Sequence, residues 1–328
     1  MTNDSNAQRV SINSALRAIP KLVEASKLGM RDQALEIGVE IAGLLDAGMP
    51  TVSDRIRKIA RTGAGLTPIA ANPPEDLVDY VPVEHGFDGV VLPDTVVEEA
   101  RMITAEHARA AELAAFSVSP RHKVVLHGPP GNGKTMLARA FAAELGLPLF
   151  EVKYGGLIAS YLGETGKNLQ RLFDFAGSQP CVLFIDEFDT IAMARTAKGD
   201  VGETRRVTNQ MLLLIERLPS RCFLVAATNL FGQIDPAVIR RFDFDIEVPS
   251  PTMEIIRTCA ARELAPARTP GHDRLDLVER IVESRPVHLS GVVGLCEWIR
   301  RDLCLTAGAN IDAKLASLSK SDHPANAE

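Results

Sequence analysis

The chain has 328 residues, a formal net charge of −6, and 46% hydrophobic against 24% charged residues. That length suggests two or three structural units, and the composition is ordinary for a soluble globular protein. The acidic balance argues against a general electrostatic grip on nucleic acid. No apolar run approaches the ~18 residues that span a bilayer, so no membrane role is expected, and MTNDSNAQR lacks the apolar stretch of a signal peptide.

Residues 1 to about 65 read as short helices. Ile37, Ile41, Leu44, Leu45 and Ala47 recur at helical spacing before Gly48, and Val52, Ile56, Ile59 and Ala60 repeat the pattern before Gly63. Pro20 predicts a helix beginning near it. So small a unit buries little by itself and suits docking better than independent catalysis. Composition then shifts: from Gly63 to Ala100 there are eight acidic residues, five prolines and no Lys or Arg. That predicts an extended linker over 66–83.

From about Pro120 strands and helices alternate. KVVLH (123–127), LFEV (149–152), CVLFID (181–186), CFLVAAT (222–228) and FDIEV (244–248) are the candidate strands. Several are near-continuous apolar runs, as parallel strands buried on both faces require. The first leads into Gly128-Pro-Pro-Gly-Asn-Gly-Lys134-Thr135 and the helix TMLARAFAAEL, the strand–loop–helix setting of a phosphate-binding loop. Backbone N–H groups of Gly131, Asn132, Gly133, Lys134, Thr135 and Met136 wrap phosphates there, with Pro130 bordering them, and the helix N-terminus adds positive potential. Lys134 reaches the β- and γ-phosphates, and the Thr135 hydroxyl ligates Mg²⁺.

The third strand ends in Asp186-Glu187, at the carboxyl edge of a parallel sheet. Asp186 is the second Mg²⁺ residue, acting through water, and Glu187 polarises the attacking water. Asn229 ends the next strand, where its amide orients that water. Asp235-Pro236 then starts a short helix that closes on Arg240 and Arg241, cations for transition-state charge on the γ-phosphate. After Pro249 and Pro251 the pattern is helical, with Leu295, Trp298, Ile299 and Leu303 as a core stripe; SKSDHPANAE reads as a disordered tail. His107, His122, His127 and His288 form no metal-like cluster. The five cysteines stand singly, as free thiols of a reducing compartment do, and the cytoplasm is the expected location.

GPPGNGKT, FIDEFD, ATN and DPAVIRRFD, in this order and spacing, resemble the AAA module in its strict sense, with its second region of homology, over roughly residues 84–310. The chain looks like a compact bacterial-type, single-ring member, similar to meiotic-clade and FtsH-like modules. The resemblance implies a P-loop α/β fold with a five-stranded parallel sheet (84–249), a small helical lid (250–318) and the N-terminal helical unit (1–65). It implies ATP and Mg²⁺ as cofactors, ATP sites at the subunit interfaces of a homo-oligomeric, hexameric ring, Asn229 as sensor, and Arg240 and Arg241 as fingers on the neighbour's nucleotide. Asp88-Gly89-Val90 resembles the segment bordering adenine, and Ser290-Gly291 the small-residue motif of the lid. Tyr161-Leu162-Gly163 resembles a pore loop gripping an extended polypeptide, and 194–206 weakly resembles a second one. The expected function is an ATP-driven motor remodelling a protein client, which the N-terminal helices select, or serving a partner enzyme such as a protease. The alternatives are an ATP-state switch that never threads its partner and a nucleic-acid-directed ATPase, which the acidic balance disfavours.

Overall fold

The computed structural model describes residues 14–16, 18–22, 31–46, 52–54, 56–57, 73–157, 162–192, 201–272 and 274–321. The elements in chain order begin with α1 (Arg31–Leu45), β1 (Val78–Val81), a 3₁₀ turn (Phe87–Gly89), α2 (Asp94–Ala108) and α3 (Ala110–Ala115). The central stretch holds β2 (Lys123–His127), α4 (Lys134–Leu145), β3 (Leu149–Val152), α5 (Tyr154–Leu157) and α6 (Leu162–Ser178). It continues with β4 (Cys181–Ile185), α7 (Asp189–Ala192), α8 (Val201–Arg217), β5 (Cys222–Thr228), α9 (Pro236–Ile239) and β6 (Phe244–Glu247). The lid is α10 (Met253–Glu263), α11 (Leu277–Glu283), α12 (Leu289–Thr306) and α13 (Ile311–Ser321).

Side-chain alternation builds a three-layer sandwich. Along β4, Val182 and Phe184 join one core with α4 and α2, while Cys181, Leu183 and Ile185 join a second core with α6 and α8. All five residues of β4 and all seven of β5 are buried, which explains their uninterrupted apolar sequence. The first core continues into the lid through Ile256, Leu277, Leu295, Ile299 and Leu303, so the sheet's lid-side face and the lid share one apolar mass. Trp298 lies at the edge of that core, half-buried.

The sheet runs β1-β3-β4-β5-β2-β6. The five predicted parallel strands are present, and a sixth corrects the expectation of a five-stranded sheet: β1 pairs antiparallel with β3, Val78 opposite Val152. β1 lies inside the stretch read as linker. Leu77 is fully buried, and its carbonyl oxygen accepts a 2.8 Å bond from Lys153 N, so the chain is tied to the sheet before residue 83. An edge strand with only its inward side chains apolar (Asp79 and Tyr80 are exposed) leaves a fainter mark than a central one.

In the N-terminal region, Ala15, Ile41 and Leu45 bury together with Ile37, Leu44 and Ile56 around them, as the periodicity predicts. Helical residues stand on both sides of Pro20 (14–16 and 18–22), so the helix does not begin there. Ala47, Gly48, Ile59, Ala60 and Gly63 lie outside the described residues. At the other end α13 runs to Ser321, into the stretch read as tail. Among the described residues no helix is long and apolar enough to cross a membrane.

Candidate functional site

Three consecutive segments of the sheet's carboxyl edge converge because β2, β5 and β4 are neighbours in parallel register, with Leu183 beside Leu224 and Leu224 beside Lys123. Parallel strands in register end together, so the loops after His127, Ile185 and Thr228 share one rim.

The loop after β2 is shaped by glycine. Gly128 has φ +132°, and a Cβ there would lie 2.1 Å from the Val248 carbonyl oxygen; no other residue fits. The loop turns into α4 at Lys134, putting a helix N-terminus beside the curled backbone. Lys134 is 6% exposed, and its Nζ donates to the carbonyl oxygens of Gly128 (2.7 Å) and Pro129 (2.8 Å). Burial pulls this ammonium below its ordinary pKa, while the nearby Asp186 and Asp189 carboxylates push the other way. The Asn132 side-chain N–H group is buried with no hydrogen-bond partner, and Pro130 and Met136 are exposed.

Thr135 Oγ1 donates to Asp186 Oδ2 at 3.0 Å, joining two motifs 51 residues apart. A hydroxyl and a carboxylate so close form an all-oxygen set that suits Mg²⁺, a hard cation that takes few protein ligands and keeps several waters. Glu187 is exposed at the rim and holds φ +43°, the left-handed region that a non-glycine residue seldom occupies. Its carbonyl accepts from Thr190 N (2.8 Å), and Phe188 N donates to Ala227 O (2.8 Å), stitching the turn to β5. Asn229 stands exposed one residue beyond β5. Its neighbour Thr228 donates to Asp189 Oδ1 (2.6 Å) and accepts from Leu230 N (3.0 Å), which fixes the loop that carries the amide.

Arg240 and Arg241 are not part of this cluster. The chain leaves the rim at Asn229, passes α9, where Asp235 caps Ala237 N at 2.8 Å, and enters β6 from the opposite edge. Asp243 N donates to Lys123 O at the start of β2, which marks that edge. A five-residue strand separates the two edges by about 15 Å. Arg241 pairs with Glu216 near the end of α8 (3.1 Å), whereas Arg240 is exposed and makes no ion pair among the described residues.

The lid closes on the loop through main-chain N–H donors. Ser290 N donates to Gly131 O (2.9 Å) and Leu289 N to Asn132 Oδ1 (3.3 Å). Gly131 has φ +73°, and a Cβ there would meet Ser290 Oγ at 2.3 Å. In the 3₁₀ turn, Gly89 O accepts from Arg262 of α10 (2.6 Å), Val90 is half-buried against the core, and the Asp88 carboxylate points outward to pair with Arg101. Sequence reasoning missed Arg262, the Thr228–Asp189 bond and Tyr154, discussed below; only Asp189, the last acid of FIDEFD, carried a visible signal. Tyr161 lies outside the described residues, as do residues 194–200 of the second candidate pore loop; Leu162 opens α6, with its side chain undescribed.

A P-loop α/β sandwich with a helical lid, its loop lysine, hydroxyl and strand-end acid in contact, defines a nucleotide-binding domain of the P-loop class. Residues 124–250 match the model of the ATPase family associated with various cellular activities, AAA, so that part of the chain is similar to an AAA ATPase domain. It is 47% identical over 168 residues to the AAA family ATPase y4kL of Sinorhizobium fredii, covering 51% of each chain. It is 43% identical over 139 residues to the peroxisomal ATPase PEX6 of Arabidopsis thaliana (41% of this chain, 15% of that one). It is 39% identical over 150 residues to proteasome-activating nucleotidase 1 of Haloferax volcanii (44% and 37%). The match thus spans about half the length of y4kL and less of the other two.

Proposed function

We propose that this chain hydrolyses ATP and, as a ring of identical subunits, uses the cycle to remodel a protein client. The observation that carries the reading is the Thr135–Asp186 contact, with Lys134 seated in the loop beside it and Glu187 at the next position. In that arrangement the loop backbone and Lys134 hold the phosphates, Thr135 and Asp186 hold Mg²⁺, and Glu187 takes the proton from the attacking water. Mg²⁺, when bound, neutralises charge on the β- and γ-phosphates. Asn229 orients the water, and Arg240, with Arg241 behind it, serves the site of an adjacent subunit.

The finer reading assigns Tyr161 and Leu162 to client contact in the central pore and residues 1–65 to choosing the client or a partner enzyme. The family supports an energy-driven role on proteins, and one relative is named for activating a proteasome, a precedent for service to a protease. The free thiols agree with a cytoplasmic setting.

The test compares two variants in one preparation. Glu187→Gln retains ATP binding and loses turnover by on the order of 10² to 10⁴. Tyr161→Ala retains turnover and loses unfolding or disassembly of the client. Normal turnover in the first removes the water-activation role; full mechanical work in the second moves the reading to a switch that never threads its partner.

A further inference from the structure

The Asp186–Glu187 turn has a clamp that comes from another strand. Tyr154 follows β3 after one residue, its ring half-buried against the core shared with α6 and α8, and its hydroxyl donates to the main-chain carbonyl oxygen of Asp186. At the other end of the same peptide group, Glu187 N donates to Asp186 Oδ1 at 2.9 Å. A peptide group is a rigid plane, so holding its oxygen and its N–H fixes ψ of Asp186 and φ of Glu187 together. Glu187 needs that fixing: its φ of +43° persists only where the surroundings over-determine it. φ of Glu187 in turn sets the direction of its Cα–Cβ bond, and therefore where the carboxylate points.

We propose that Tyr154 is a positioning residue for hydrolysis: its hydroxyl holds the Asp186–Glu187 peptide in the one orientation that aims the Glu187 carboxylate at the attacking water. The inference rests on the reading of Glu187 as the water-activating group. The hydroxyl is well placed as a donor, because its ring is packed against the core and its O–H meets a main-chain carbonyl oxygen, which can only accept. Tyr154 bonds to the peptide and not to the phosphate-binding loop, so its effect falls on the chemical step and not on affinity. The clamp also joins the hydrolytic turn to α5, which begins at Tyr154 itself.

The experiment measures steady-state ATPase, affinity for a fluorescent ATP analogue and thermal melting for the full chain, Tyr154→Phe and Glu187→Gln side by side. Phenylalanine keeps the ring and its packing and deletes only the donor. The expected result is a kcat about tenfold lower, the scale of one lost hydrogen bond, with KM, analogue affinity and melting temperature unchanged. A wild-type kcat in Tyr154→Phe overturns the proposal. So does a fall in kcat matched by an equal fall in analogue affinity or by a lowered melting temperature, since that pattern marks a merely structural role. A full chain that turns over no ATP, indistinguishable from Glu187→Gln, overturns instead the hydrolysis reading on which the proposal stands.

Discussion

The two edges of the central sheet carry charge in opposite ways. At the carboxyl edge the polar groups answer one another: Lys134 is bonded to its own loop, Thr135 to Asp186, and Thr228 to Asp189. At the opposite edge Arg240 is exposed without an ion pair among the described residues, beside an Arg241 that is already held by Glu216. On the proposed function, a nearly complete site on one edge and an unanswered cation on the other would be two halves of one catalytic centre carried by different copies of the chain. The lone arginine is costless in water, and it acquires value only against a phosphate with developing charge.

The sharpest break in that comparison comes from the arginines themselves. Arg240→Ala is expected to lower turnover by on the order of 10³ without weakening ATP binding to its own chain. Arg241→Ala, which removes a cation already paired to Glu216, is expected to cost far less. Equal losses from the two would erase the distinction drawn from their partners, and steady-state rates beside nucleotide titrations decide it.

A smaller effect is expected where the lid meets the carboxyl edge. Gly131→Ala forces a Cβ against Ser290 at a residue with φ +73°, so it separates lid from loop and weakens nucleotide affinity by roughly tenfold, about 1.4 kcal/mol. Affinity at the wild-type level would mean that the lid contact does not shape the pocket.

Smallest in function is a change inside the lid. Glu263 is largely buried and accepts from both Arg268 and Arg300 at 2.6 Å. Glu263→Ala removes the carboxylate shared by those cations, leaving Arg300 only its 2.7 Å bond to the main-chain oxygen of residue 263, and costs about 2 kcal/mol of stability, read as a lowered melting temperature. Turnover below that temperature is unchanged; an equal loss of turnover would tie the lid's interior to the chemistry.

What the sequence disclosed about these regions follows from where each signal is stored. The central strands were legible because burial on both faces forces continuous apolar runs, and the loop was legible because its backbone demands glycine at fixed positions. Lys134, Thr135, Asp186 and Glu187 followed from those settings. β1 was hidden, since VDYV sits among prolines and acids and turns only part of itself inward. Tyr154 was hidden for a different reason: its partner is a main-chain carbonyl 32 residues away, and a backbone acceptor leaves no residue type to recognise. The lid's grip on Gly131 and Gly89 is likewise made to the backbone, and only the folded chain reveals it.

The division of the site between copies is the claim on which the rest depends, and mixing two inactive proteins tests it most directly. Arg240→Ala supplies an intact loop and Glu187, and Glu187→Gln supplies an intact Arg240. Titrating one into the other at constant total protein, with mixed assemblies verified by a tag on one variant, is expected to restore ATPase activity, with a maximum at an intermediate ratio. No recovery at any ratio, with mixed assemblies formed, would contradict the shared site and require Arg240 to act within its own chain.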